Sequence, residues 1–211
     1  MTSESVTITS GNIRLLGEYN APSEATGMIL FAHGSGSGRL SPRNNQVANR
    51  FNQAGYSTLL IDLLTEEEAA KDSYTMEYRF DVQLLASRLI LAAEWLKARY
   101  PQPLGYYGAS TGASAALIAA AERPEMVSAI VSRGGRPDLA GPSLPNVKAP
   151  TLLIVGGLDG EVLELNKEAQ RRMKTITDLE VVEGATHLFE ERGRLEEVAN
   201  RSIRWFMKYL R

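Results

Sequence analysis

The chain has 211 residues, 44% hydrophobic and 23% charged, with a net charge of −2. These are values of a globular protein long enough to bury a full core without staples. The mixed, near-neutral charge gives no basic stripe for nucleic acid or for an anionic membrane surface. The absence of Cys rules out disulfides, thiolate metal sites and a cysteine nucleophile.

The first segments, SVTIT and IRLLGEY, alternate apolar and polar residues around Ser10-Gly11-Asn12 and predict a β-hairpin. A continuous apolar run, GMILFAH (27–33), follows and ends in a glycine-rich loop. Runs of this kind suit strands covered on both faces. The pattern then predicts a helix at 43–55, a strand at 56–64 and a long helix from about Met76 to Tyr100, closed by Pro101 and Pro103. Glu66, Glu67 and Glu68 read as a solvated helix start. LGYYGAS is a strand and TGASAALIAAAERPE a helix. Three more strands are expected at 127–135, 149–157 and 177–185, and two helices at 161–175 and 194–211. The piece from 134 to 150 reads as irregular and too short for a cap. Trp95, Trp205 and Phe206 read as core, and Tyr74, Met76 and Tyr78 as ordinary packing or a cleft wall.

A hairpin followed by alternating strands and helices predicts one α/β domain over 1–211. It would be built on a mostly parallel twisted sheet with an N-terminal antiparallel hairpin and helices on both faces. No apolar run is long enough for a bilayer span and no signal peptide is recognisable, so a cytoplasmic, monomeric or homodimeric protein is expected.

Ligands in such sheets bind beyond the carboxyl ends of the strands. The residues just past the apolar runs are His33-Gly34-Ser35-Gly36-Ser37-Gly38-Arg39, Asp62, Ser110, Arg133 to Arg136, Asp159 and His187. Ser110 lies in Gly-Ala-Ser-Thr-Gly, a G-x-S-x-G pattern at a strand-to-helix junction. Such a turn exposes the hydroxyl above the sheet. A hydroxyl is a weak nucleophile and needs an imidazole to take its proton and a carboxylate to orient that imidazole. The chain has two His. His33 precedes the glycine-rich loop and reads as a structural residue fixing it, which leaves His187 as general base. Asp159 is the expected acid, ahead of Glu161, Asp138 and Glu183. Ser110 could otherwise serve only as a helix cap.

The HGSGSGR stretch lacks the spacing of a dinucleotide or P-loop phosphate cradle, since position 39 is Arg39 and no Gly-Lys-Ser/Thr follows. It reads better as half of an oxyanion hole. The expected donors are the N–H groups of Ser35, or alternatively Gly34, and of Thr111. Arg133, Arg136 and Arg39 are candidate substrate contacts on the same rim, where a guanidinium could clamp a carboxylate or phosphate or instead fix a loop. Asp62 is placed to orient the glycine-rich loop. No metal or organic cofactor is expected.

These pieces, with LLTEEEA, VSRGGRPDLAG, TLLIVGGLDGEVLELN and GATHLFEE, resemble the α/β-hydrolase superfamily from about Gly27 to Phe206. The likeness is to its small, lid-less, dienelactone-hydrolase-like branch, whose members include domains fused to or encoded near phosphoribosyltransferases. The resemblance implies a Ser-Asp-His hydrolase, with Ser110, Asp159 and His187 on its catalytic positions and no cap domain. Dienelactone hydrolases proper use a Cys nucleophile. Ser110 in that position points to a general carboxylesterase acting on small esters, with a lactone or thioester hydrolase, or a binding protein with an unused triad, as alternatives. A nucleotide-binding doubly wound domain is the reading that the glycine spacing disfavours.

Overall fold

A computed structural model describes all residues, 1–211. The elements run β1 (Thr2–Ser10), β2 (Ile13–Ala21), β3 (Gly27–Ala32), α1 (Pro42–Gln53), β4 (Tyr56–Ile61), α2 (Glu66–Thr75), α3 (Val82–Lys97) and β5 (Leu104–Ala109). Then come α4 (Thr111–Glu122), β6 (Ala129–Arg133), a 3₁₀ segment (Pro137–Asn146), β7 (Thr151–Gly156), α5 (Gly160–Arg172), β8 (Thr177–Val182) and α6 (Arg194–Tyr209). The eight strands form one sheet in the order β1-β2-β4-β3-β5-β6-β7-β8. β1 and β2 pair antiparallel, as does β2 with β4, and every later pair is parallel.

Every residue of β3 to β7 is buried, as continuous apolar runs in a doubly covered parallel sheet should be. The period of two sorts the side chains between two cores. Met28, Leu30, Tyr106 and Ile130 face α3 and α4, where Leu85, Leu89, Ala115 and Ala116 meet them. Ile29, Phe31, Tyr107 and Val131 face α1 and α6, against Phe51 and Phe206. The Phe51 and Phe206 rings meet edge-on, with centroids 5.6 Å apart, and join the two helices.

The predicted long helix from Met76 does not form. Met76 is left-handed at φ 54° and closes α2, and the next helix begins only after Asp81, whose carboxylate caps the Leu84 N–H at 3.0 Å. Between them, Asp72 accepts the backbone N–H groups of Tyr78 and Arg79 at 2.8 and 2.9 Å and the Arg79 side chain at 2.7 Å. A buried carboxylate with three donors fixes a turn that helical periodicity reads straight through. Tyr74 and Met76 are exposed, so neither packs as core. The piece expected to be irregular contains the 3₁₀ segment, broken at Gly141.

β3 sends the chain to β4 on one side and, after α3, to β5 on the other. The sheet order reverses there, and a crevice opens beyond the carboxyl ends of β3 and β5. The glycine-rich loop and Ser110 border that crevice.

Candidate active site

Ser110 sits between β5 and α4 at φ 51° and ψ −122°, a conformation that L-residues with a side chain rarely adopt. The surrounding structure holds it there. Its N–H donates to the Arg133 carbonyl at 3.2 Å. Its own carbonyl accepts from Ala113 at 3.1 Å and from Arg136 at 3.2 Å. A side chain on Gly112 would overlap the Ala32 and His33 carbonyls, and one on Gly108 would strike Ala113. Both glycines are therefore required by the close crossing of strand, turn and helix. The hydroxyl makes no capping bond to α4, which argues against a cap as its purpose.

His187 and Asp159 arrive from the ends of β8 and β7. His187 Nδ1 lies 2.6 Å from Asp159 Oδ2, a charge-assisted pair. Asp159 starts α5 without capping it, so its carboxylate is free for the imidazole. With Nδ1 engaged, Nε2 is the nitrogen left for another partner. His187 and Ser110 line one cleft of about 200 Å³, together with Gly34 and Ser35. Of the other acids weighed from sequence, Asp138 is committed to Arg136.

The glycine-rich loop lies directly over the elbow: a Cβ on Gly34 would be 3.1 Å from the Ser110 Cβ. The Ser35 N–H donates to Thr111 Oγ1 at 2.9 Å, and Thr111 is the first residue of α4, where main-chain N–H groups lack helical partners. The two expected oxyanion donors are thus neighbours, with the Ser35 N–H occupied by the Thr111 hydroxyl. Buried His33 donates from Nδ1 to the Gly34 carbonyl at 2.9 Å and accepts the Leu63 N–H at Nε2, 3.0 Å away. Burial holds its pKa below the ordinary value, outweighing the Gly34 bond and the nearby Asp62 charge. Asp62 accepts the Arg39 N–H at 2.7 Å and so anchors the far end of the loop.

The three arginines grouped from sequence separate. Arg39 forms ion pairs with Asp62 and, at 3.4 Å, with Glu18. Arg136 grips both Asp138 oxygens, at 2.9 and 2.8 Å. Neither lines the cleft, which corrects their assignment as substrate contacts, because each guanidinium is spent on a neighbouring carboxylate. Arg133 alone lines the cleft beside Ser110 and His187. Its partner is Asn44 Oδ1 on α1, at 3.3 Å. Sequence reasoning missed Asn44; the available signal was Ser41-Pro42, a helix start immediately after the loop.

On the other side of the loop a second cavity of about 270 Å³ lies beneath α2, with Leu16, Leu64, Ala69 and Leu85 among its walls. It shares Gly34, Ser35 and Ser37 with the cleft that holds Ser110 and His187. No group of three or more His, Asp or Glu is placed to hold a metal ion. No helix is long and apolar enough to cross a membrane.

Residues 17–210 match the sequence model of the dienelactone hydrolase family. Two proteins of Mycobacterium tuberculosis strains named "Putative phosphoribosyl transferase" are 52% identical over 98% of this chain. The chain spans about half their length, 46%. The crystal structure of a dienelactone hydrolase from Anabaena variabilis is 54% identical and superposes with a TM-score of 0.96, covering 100% of this chain and 99% of that one. Est1E from Butyrivibrio proteoclasticus shares the fold at 15% identity, with a TM-score of 0.80 over 97% of this chain and 98% of its own.

Proposed function

The chain belongs to the dienelactone hydrolase family and is a hydrolase of the α/β fold, and from this we propose that it cleaves small carboxylic esters through Ser110, His187 and Asp159. The observation that carries the reading is the 2.6 Å bond from His187 Nδ1 to Asp159, in the cleft that also holds the strained Ser110. A bond that fixes one imidazole nitrogen leaves the other to take a proton.

In this reading His187 Nε2 removes the Ser110 proton as Oγ attacks the acyl carbon. The negative oxygen that develops is held by the N–H of Thr111 and by that of Ser35, which turns to it from the Thr111 hydroxyl. As the tetrahedral intermediate collapses, His187 protonates the departing alkoxide. Water then enters, loses a proton to the same nitrogen and attacks the acyl-enzyme, and Ser110 recovers its proton as the acid leaves. Asp159 stabilises the imidazolium in both halves and stays ionised. No step calls for a metal or an organic cofactor. The transferase name of the mycobacterial relatives is not carried over, since the chain covers less than half of either protein.

The test is covalent labelling by a fluorophosphonate combined with turnover of p-nitrophenyl acetate and butyrate. The wild type should label quickly and release p-nitrophenol, and Ser110→Ala should do neither. A wild type that binds such esters without turnover, and does not label, would instead identify a binding protein that retains the fold.

A further inference from the structure

The His187 ring is fixed by a single bond, to Asp159. Packing adds little, since the His187 side chain is 37% exposed and the neighbouring Leu188 is 39% exposed. A general base has to point at its nucleophile to within a fraction of an ångström, so the main chain that carries it must be held as well. That stretch of chain lies between β8 and α6 and belongs to neither. It has no helical or strand ladder to hold it.

The chain is tied instead at the residue before the base. The Thr186 carbonyl accepts the Phe189 N–H at 3.2 Å, and the Thr186 N–H donates to Glu191 Oε1 at 3.0 Å. Both main-chain polar groups of Thr186 are therefore engaged from within the next five residues, and the segment closes around His187. Phe189 buries its ring in the core from a left-handed φ of 57°. An aromatic residue rarely adopts that conformation, and here it lets the chain double back so that Glu191 reaches Thr186. On the inner side the His187 carbonyl rests over the end of β6, where a Cβ on Gly134 would stand 3.1 Å from it.

Glu191 is not spent on a cation. Its neighbour Glu190 pairs with Arg43 at 2.6 Å, and Arg194 pairs with Glu197 at 3.0 Å, but Glu191 is in no ion pair. Its Oε2 is buried and has no partner in the protein. A half-buried carboxylate turned inward forgoes water on that oxygen, and the charge-assisted bond to Thr186 is what it gains. The Thr186 side chain and then the main-chain N–H groups around it hold the Glu191 carboxyl below the usual carboxylate range. At neutral pH it is therefore ionised and purely an acceptor.

We propose that Glu191 is a positioning residue for the general base: by holding the Thr186 N–H, its carboxylate fixes the main chain at His187 and with it the aim of Nε2 at Ser110. The inference rests on the ester-hydrolase reading and adds a second tie to the base. Asp159 sets the tautomer and rotation of the ring, and Glu191 sets where the ring stands. Asp159 reaches His187 from the end of β7 and Glu191 from just ahead of α6, so the base is held from two directions.

The experiment compares Glu191→Gln, which keeps an oxygen acceptor, with Glu191→Ala and Glu191→Leu, which have none. Glu190→Gln, which removes the adjacent charge, is the control. Turnover of p-nitrophenyl acetate is expressed per site titrated to completion with a fluorophosphonate, so that misfolded protein drops out of the comparison. In Glu191→Ala and Glu191→Leu kcat should fall about 10-fold with KM within about twofold of the wild type, because a misplaced base weakens proton transfer and not ester binding. Glu191→Gln should keep at least about half of kcat, and Glu190→Gln all of it. A wild-type kcat in Glu191→Ala or Glu191→Leu would overturn the proposal, as would a loss confined to KM or a Glu191→Gln enzyme as slow as Glu191→Ala. If the wild type neither labels nor turns over, the ester-hydrolase reading fails, and proton NMR of the His187 Nδ1 hydrogen, assigned by its loss in His187→Gln, still decides the positioning role. That resonance should be sharp in the wild type and Glu191→Gln and should broaden or vanish in Glu191→Ala. An unchanged resonance in Glu191→Ala would refute the role.

Discussion

The backbone N–H of Ser35 donates to the side-chain oxygen of Thr111 at 2.9 Å, tying the loop after β3 to the first residue of the helix that follows the elbow. Thr111 is thus both an expected oxyanion donor, through its main chain, and the acceptor that occupies the other expected donor, through its hydroxyl. Ser35 can serve the oxyanion only by giving up that bond, so of the two the Thr111 N–H is the one already free when charge develops.

Thr111→Val keeps the Thr111 N–H and the side-chain shape but frees the Ser35 N–H. With Ser35 as the second oxyanion donor, kcat for p-nitrophenyl acetate should be kept or raised, by up to about 10-fold, with KM little changed, since an oxyanion donor is felt mainly in the transition state. Steady-state kinetics decide it. A fall of roughly 10-fold would mean that the bond is needed to hold the loop and that Ser35 does not serve the oxyanion.

Ser110→Ala and His187→Ala should each lower kcat by about 10⁴-fold or more, and the double variant should be scarcely worse than either, because residues acting as a unit are not additive. Asp159→Asn should be less severe and should leave the fold intact, as Asp159 caps nothing. Activity of Ser110→Ala above a tenth of the wild type would remove Ser110 from the chemistry.

His33 sets a limit on stability at acidic pH. Its folded-state pKa lies below the ordinary 6.5 because burial disfavours the imidazolium by more than the Gly34 bond and the Asp62 charge favour it. Between the lowered value and about 6.5 the unfolded chain binds a proton that the folded chain does not. Stability contributed by neutral His33 is therefore present above about pH 6.5 and is lost as pH falls, by up to about 1.4 kcal/mol per pH unit. Urea titrations from pH 7.5 to 5 should show this decline in the wild type and a shallower one in His33→Gln. Parallel declines in the two proteins would contradict it.

Acyl length should be limited by the cavity beneath α2. Each methylene buried there contributes about 0.8 kcal/mol, roughly fourfold in kcat/KM. The space of about 270 Å³ has walls at Leu64, Ala69 and Leu85. Acetate to butyrate esters should outperform those of about ten or more carbons. Ala69→Trp, which fills the cavity from α2, should lower butyrate turnover relative to acetate by several-fold. A kcat/KM that climbs steadily to palmitate, or an Ala69→Trp profile identical to the wild type, would place the acyl group elsewhere.

The sequence by itself determined the layered α/β architecture. Buried parallel strands have to be continuous apolar runs, and the helices between them have to carry one apolar face, so periodicity and turn residues are sufficient evidence. It also determined that Ser110, Asp159 and His187 stand at strand ends, because the G-x-S-x-G turn and the punctuation after each run are local signals. Other features depended on contacts between residues distant in the chain. The break between α2 and α3 comes from Asp72 reaching forward to Tyr78 and Arg79, a hydrogen-bonded turn with no apolar signature. The 2.6 Å meeting of His187 with Asp159 needs β7 and β8 side by side. Among Arg39, Arg133 and Arg136, composition and spacing are equivalent. Only the tertiary structure decides that two of them face carboxylates while Arg133, on the inward face of β6 and opposite Asn44 of α1, remains an unpaired charge beside the elbow. Charge pairing depends on which side chains the fold brings within a few ångströms of one another, and that distance is not written in the order of residues.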